Sequence, residues 1–346
     1  MSIRLLKTLT LGVALLGGTV LPIVAQAAEF TMRFATASPP MENNFSWTHL
    51  EVLAREIESR SGGRIEVEMY PGAQLGGIES LVNQVKDGIL QACDPADGHF
   101  ASTFPDIQAF GVPYLFVNRE VAWRVLDGPV GEQMRERMAK EVGLRPLFWS
   151  ENGGFRHYSS ASQEMKSPED MAGIKMRTMN HPLHMEIAKS LGMSPTPIAW
   201  GELYTALQTG VVDGQENSIP TFMVPKLYEV QKNMVLDGHV YSINTVAINE
   251  AWYQSLPDDL KGVIRQAAQV ALETNRGLSV ANEASGRAFL ESEGVSIYEP
   301  AAEEKAVFRE KAQPAAIEWL KTQMDPKVLD EIQAAVAEAE QFYGYR

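Results

Sequence analysis

Apolar and polar residues alternate strictly from Arg64 to Tyr70, which predicts a strand with one solvated face, closed by Pro71 and Gly72. Before it, Phe30 to Ala37 reads as a strand and Asn44 to Arg60 as a periodic helix that ends at Ser61, Gly62 and Gly63. A helix over Gly77 to Asp87 and a strand over Gly88 to Cys93 follow. This β-α-β-α-β opening points to a parallel sheet flanked by helices. The apolar run from Ile107 to Phe116 contains Pro113, which predicts an edge or bent strand. Helices over Arg119 to Leu126 and Val130 to Glu141 then lead to a strand over Leu144 to Ser150.

Asn152, Gly153 and Gly154 mark a hinge, after which the pattern starts again. Strands are expected over Arg156 to Ser160, Ile174 to Met179, Met193 to Ile198 and Val211 to Asn217. Helices over His181 to Leu191, Gly201 to Thr209 and Pro220 to Val230 separate them. Asp237 and Gly238 make a turn before Tyr241 to Asn249, a long alternating strand that passes between the two halves. A helix of unusual length runs from Pro257 to about Glu293, and Pro257 and Asp258 suit its start. A short strand at Val295 to Tyr298 and helices over Ala301 to Gln323 and Pro326 to Phe342 complete the chain. The fold class is therefore α/β with two lobes. Residues 28–151 plus about 240–285 form lobe I, and 152–239 plus about 286–346 form lobe II. Ligands in such folds bind in a cleft at strand carboxyl ends.

The first 27 residues stand apart. Arg4 and Lys7 precede an apolar stretch from Leu9 to Val24, and Ala25, Gln26 and Ala27 form a small-x-small cleavage site. This reads as a secretory signal peptide that delivers a chain starting at Ala28 to the periplasm; a retained membrane anchor is the alternative. The formal charge of −14 becomes −16 when Arg4 and Lys7 leave with the signal. That balance argues against nucleic acid and against an anionic membrane as partners, while a pocket's local field still permits an anionic ligand. The lone Cys93 has no partner for an internal disulfide and reads as a small core residue. A monomer is the expectation.

Near the middle of the chain, an Arg ends one strand, in Gly173-Ile174-Lys175-Met176-Arg177. About 25 residues later a helix, a Gly turn and a short strand run from Glu202 to Asn217. This resembles the way a two-lobed receptor presents an Arg and an amide to a small acid. The sequence is similar to the substrate-binding proteins of TRAP transporters, the DctP and sialic-acid-receptor class, over nearly all of the chain after the signal. The segments that carry the resemblance include Tyr70-Pro71-Gly72-Ala73-Gln74-Leu75-Gly76, Val112-Pro113-Tyr114-Leu115-Phe116, Glu151-Asn152-Gly153-Gly154-Phe155-Arg156, Ser194-Pro195-Thr196-Pro197 and the stretch from Leu203 to Asn217. It implies a periplasmic-binding-protein fold with a cleft between the lobes and the long helix spanning both. It also implies a receptor that closes on an organic acid and hands it to membrane permease subunits without ATP.

The resemblance makes Arg177 the carboxylate clamp, a role that suits the planar guanidinium. Arg156 corresponds to a second family Arg, with hinge support as its other reading. Asn217 suits a carboxylate oxygen or hydroxyl, or the capping of the helix that follows. Trp200 is expected against the ligand's carbon skeleton, with Phe222 and Trp149 as further aromatic candidates and the core as the alternative for each. Lobe I should set specificity through residues such as Ser38, Glu42 and Asn44, and Asp94, Asp97 and His99; Asp97 in particular suggests a ligand with OH or NH groups. His181 and His184 stand at i, i+3 with no third ligand in register, so neither metal nor cofactor is expected. No hydrolase constellation appears in a suitable setting, which leaves a periplasmic enzyme or a sensor subunit as the readings of another class. Within the receptor reading, a C4-dicarboxylate or a hydroxy or keto acid leads; a sulfonate, a sugar acid or an ectoine-like zwitterion is the alternative.

Overall fold

The computed structural model describes residues 27–345, so the expected signal peptide lies, but for Ala27, outside the described residues. The elements in order are β1 (Phe30–Ala35), α1 (Thr48–Arg60), β2 (Ile65–Tyr70), α2 (Ile78–Lys86), β3 (Ala92–Cys93), α3 (Arg119–Asp127), α4 (Pro129–Val142), β4 (Leu144–Ser160), β5 (Lys175–Thr178) and α5 (Pro182–Ser190). Then come β6 (Ser194–Pro197), α6 (Leu203–Gln208), β7 (Gly214–Asn217), α7 (Ile219–Met223), β8 (Asn233–Asn249), α8 (Glu250–Ser255), α9 (Asp258–Ser292), β9 (Ser296–Tyr298), α10 (Ala302–Leu320) and α11 (Pro326–Tyr343).

The strands join in the order β2-β1-β3-β8-β4-β7-β5-β6, with β9 on β8. Parallel pairing holds β1 to β2 and β3 at one end, and β5 to β6 and β7 at the other. Between these groups lie β4 and β8, each 17 residues long and antiparallel to one another. The two strands expected on either side of Asn152 are thus one strand, and the hinge is a bulge in it. Register shifts between Glu151 and Gly154, where Gly153 and Gly154 take φ of 76° and 94°. A side chain on Gly153 would strike Ser218, and one on Gly154 would strike Arg119, so the bulge requires glycine for space as well as for backbone angle.

Two expected strands are not formed as read. Ile107 to Phe116 is not a strand: a 3-10 segment over Pro105–Gly111 gives way to loop, and Asp106 to Gly111 are buried without any alternation of faces. The strand expected from Gly88 shrinks to Ala92–Cys93, because Gly88 turns at φ 75° and Ile89 is exposed.

The long helix α9 spans both halves. Its 35 residues reach about 50 Å at 1.5 Å per residue. Leu260, Ile264, Ala267 and Ala271 pack in one cluster with Leu50, Met32 and Ile65, and Leu290 packs in another with Leu203 and Phe222. The last helix packs on two helices of the first half. Leu329, Ile332, Val336 and Ala339 of α11 share a cluster with Val121, Val125 and Met134, so it lies against α3 and α4 beside the first strand group. No helix among the described residues is long and apolar enough to cross a membrane.

The middle of α9 ties the bulge down. Asn275, fully buried, accepts from the Glu151 amide at 2.7 Å and donates to the carbonyls of Glu151 and Phe45, each at 3.1 Å. Glu151 in turn accepts from Arg119 Nε at 2.7 Å, and Arg119 also pairs with Glu283 of α9. Asn275→Ala should lower the unfolding free energy by about 2 kcal/mol or more, because it leaves buried backbone groups unpaired. Urea denaturation measures it, and an unchanged midpoint would show that water replaces the amide.

Candidate functional site

A cavity of about 100 Å³ lies between the two strand groups. On one wall, strands β5 and β7 pair in parallel, with Arg177 opposite Gln215, and so bring Arg177 close to Asn217 at the end of β7. Arg177 is 2% exposed, and its Nε and Nη2 both donate to the Ile198 carbonyl, at 3.0 and 2.8 Å. That brace fixes the plane of the group and leaves the Nη1 edge unengaged. Burial pulls its pKa down to about 10, with Arg156 adding to the fall and Glu216 opposing it. Among the described residues no carboxylate lies within ion-pair distance of Arg177. The Asn217 amide donates to Gln215 Oε1 at 2.6 Å, which orients it, and the half-buried Trp200 adds an aromatic face.

The opposite wall comes from the ends of β1 and β3 and from β8. Thr36, Ser38, Asp94, His99 and Asn244 line it. His99 Nδ1 lies 3.2 Å from Glu79. Asp94 is 5% exposed, and burial pushes its carboxyl up to about 7, opposed only by a hydrogen bond from Thr36 and by its own backbone amide. Its Oδ2 is buried without a hydrogen-bond partner, and so is Oδ1 of Asn244. Cys93 is buried and unpaired beside Asp94, with its thiol pushed up by burial, consistent with a small apolar lining residue.

The structure therefore brings Arg177, Asn217 and Trp200 together on the cavity with the lobe I candidates Ser38, Asp94 and His99, and places Arg156, Asp97, Phe222, Trp149, Glu42 and Asn44 elsewhere. Arg156 is fully buried. It grips the Glu216 carboxylate in a fork, with Nη2 at 2.9 Å from Oε1, and donates from Nη1 to Ser242 Oγ at 3.0 Å. Its donors are spent on the protein, so it supports β7 rather than facing the cavity. Asp97 accepts from the Gly98 amide at 2.9 Å and lies 3.9 Å from His181; burial raises its pKa, but the two stacked histidines His181 and His184 bring it below its ordinary value. Phe222 is wholly buried in the cluster with Leu203 and Leu290. Trp149 is buried edge-on to Phe110, and its Nε1 donates to the Gly131 carbonyl at 3.4 Å. Glu42 is exposed on the loop after β1, and Asn44 caps its own turn through Ser46. No group of three or more potential ligands among the described residues is placed to hold a metal ion.

The sequence reading missed Thr36 and Asn244. Neither type carries a distinctive signal, although the alternation along β8 places Asn244 and Ser242 on one face, and Asn244 bridges to Ala96 beside Asp94.

The cavity thus lies between two strand groups that share an antiparallel ribbon and one long helix. The chain belongs to the bacterial extracellular solute-binding proteins of family 7, the DctP family of TRAP transporter receptors, whose family model matches residues 36–322. It is 33% identical over 264 residues to the sialic acid-binding periplasmic protein SiaP of Vibrio cholerae, covering 76% of this chain and 81% of that one. Its structure superposes with a TM-score of 0.84 on the sugar acid binding protein DctPAm of Advenella mimigardefordensis in complex with galactonate, at 30% identity, covering 90% of this chain and 99% of that one. A TRAP periplasmic solute-binding protein of Polaromonas sp. JS666 bound to D-erythronate gives a TM-score of 0.82 at 31% identity, covering 88% of this chain and 98% of that one. The chain is thus a member of a solute-binding family, which is not one of enzymes.

Proposed function

We propose that this chain is the periplasmic receptor of a TRAP transporter, that it clamps the carboxylate of a small organic acid between Arg177 and Asn217, and that it delivers the acid to membrane permease subunits. The observation that carries the reading is a buried guanidinium with no anionic partner among the described residues, braced by a carbonyl and facing a cavity. A cation withdrawn from water is costly unless an anion meets it, and here the ligand supplies the anion. Arg177 presents a planar edge that matches a carboxylate, Asn217 adds an amide donor, and Trp200 covers the carbon skeleton. The bulge at 151–154, with the strand crossing near residue 240, serves as the hinge between lobes I and II. Capture follows from closing that hinge over the bound acid. The leader at residues 1–27 and the periplasmic relatives support the location.

The test is a thermal-shift screen of the chain from Ala28, unfolded and refolded to strip any retained ligand, against monocarboxylic, dicarboxylic and sugar acids. A ligand that binds only the folded state raises the melting temperature, by about 2.7 kcal/mol of stability at one hundred times Kd. At least one acid should do so. A flat response across the panel would refute the reading.

A further inference from the structure

The two walls of the cavity are chemically opposite. Arg177 and Asn217 offer donors. Facing them, Asp94 Oδ2 and Asn244 Oδ1 are acceptors, each buried and each without a protein hydrogen-bond partner. Unmet buried acceptors are costly, and native proteins seldom keep two in one place without something to satisfy them. The neighbouring strand geometry holds them there. Asn244 bridges through its backbone to Ala96, and the Thr245 amide donates to the Pro95 carbonyl at 2.8 Å, which fixes β8 against the Asp94 loop. Thr36 and Ser38 line the same wall; the Thr36 hydroxyl is held by Asp94, and that of Ser38 can both donate and accept.

We propose that Asp94 and Asn244 form a hydroxyl-reading pole of the cavity, so that the acid it takes is a polyhydroxy monocarboxylate rather than a dicarboxylate. This inference rests on the reading of Arg177 as the carboxylate clamp. With Asp94 ionised, a second carboxylate at that end would set acceptor against acceptor and charge against charge. A hydroxylated chain presents donors to both oxygens and accepts in return from Ser38. The acceptors are divided between a carboxylate and a neutral amide on two different strand ends, which suits several hydroxyls along a chain better than the single charge of an ammonium group.

The test is calorimetric titration at pH 8, where Asp94 is ionised, with D-erythronate, galactonate, butyrate, hexanoate, succinate and 4-aminobutyrate. The better-bound hydroxy acid should bind at least about 100-fold more tightly than its unsubstituted counterpart and than succinate, because a site built for hydroxyls is left with unpaired groups by an analogue without them. Asp94→Asn should weaken the hydroxy acid about 10-fold or more and leave butyrate and hexanoate within about 2-fold. Asn244→Leu should act in the same direction. Asp94→Asn also controls for folding: removing a buried, poorly compensated carboxylate should leave the melting temperature at pH 8 equal to or above that of the unsubstituted protein.

A preference for succinate or 4-aminobutyrate, or an equal loss for all acids in Asp94→Asn, would overturn the hydroxyl-reading pole while the Arg177 clamp stands. If none of these acids binds, yet other carboxylates in the wider screen do, the pole is again refuted. If no carboxylate binds at all, the clamp itself falls.

Discussion

Arg177→Ala should weaken binding of the acid by about 2–5 kcal/mol, a loss of roughly 30-fold to several thousandfold, because the ligand's carboxylate is left in a dry cavity without its cation. Arg177→Lys should recover only part of the loss. A lysine ammonium is a point charge, and it cannot brace on the Ile198 carbonyl while presenting a planar edge to a carboxylate. The ligand-free protein should lose less than the complex does. Burial already holds the Arg177 pKa down to about 10, which means its charge is carried at a cost in the empty fold. Its two hydrogen bonds to Ile198, about 1.5–3 kcal/mol each for a charged donor, and its attraction to Glu216 are offset by the relief of that burial cost. Titration calorimetry and a melting curve on the same sample separate the two effects. Wild-type affinity in Arg177→Ala would remove the residue from the site.

The contrast between Arg177 and Arg156 shows where the sequence stops being informative. Both follow a glycine-containing stretch near a strand and both belong to motifs of the family. Alternation along β7 was legible, and it places Glu216 and Asn217 on opposite faces of the strand. A carboxylate on the face away from the cavity, in a strand flanked by apolar residues, requires a buried cation, and that requirement was the available signal for Arg156. What the sequence does not give is the register that brings β4 beside β7, with Tyr158 opposite Glu216, and so sets which arginine reaches that carboxylate. The aromatic residues were ambiguous for a similar reason. Trp200 and Phe222 follow strands β6 and β7, and Trp149 lies within β4, yet Trp200 lines the cavity while Phe222 and Trp149 are buried in the core. The long helix α9 was legible because its apolar positions recur over many turns. The place of α11 was not, because an amphipathic face does not name the surface that covers it.

Arg156→Ala should instead destabilise the fold, by about 3–5 kcal/mol, because it strands Glu216 as an unpaired buried charge. Burial alone would raise the Glu216 carboxyl, yet Arg156, with His184 at 3.3 Å and His239 at 3.4 Å, holds it well below the usual carboxylate range. His239 is itself held by Asp237 at 2.9 Å, and Tyr114 donates to the same carboxylate at 3.0 Å. The pair therefore anchors a chain of buried polar groups behind the strand that carries Asn217. Glu216→Ala should cost a similar amount, and a double Arg156→Met, Glu216→Leu replacement should recover much of it, because no charge is then left alone. Urea denaturation of the two single variants and the double variant gives the coupling directly. The same proteins decide whether Arg156 touches the ligand. If it supports β7, loss of stability should exceed loss of affinity, and the double variant should regain binding along with its fold. If Arg156→Ala kept full stability and lost the acid, the guanidinium would have to leave Glu216 and enter the cavity when the ligand binds, and the role expected from the sequence would be restored.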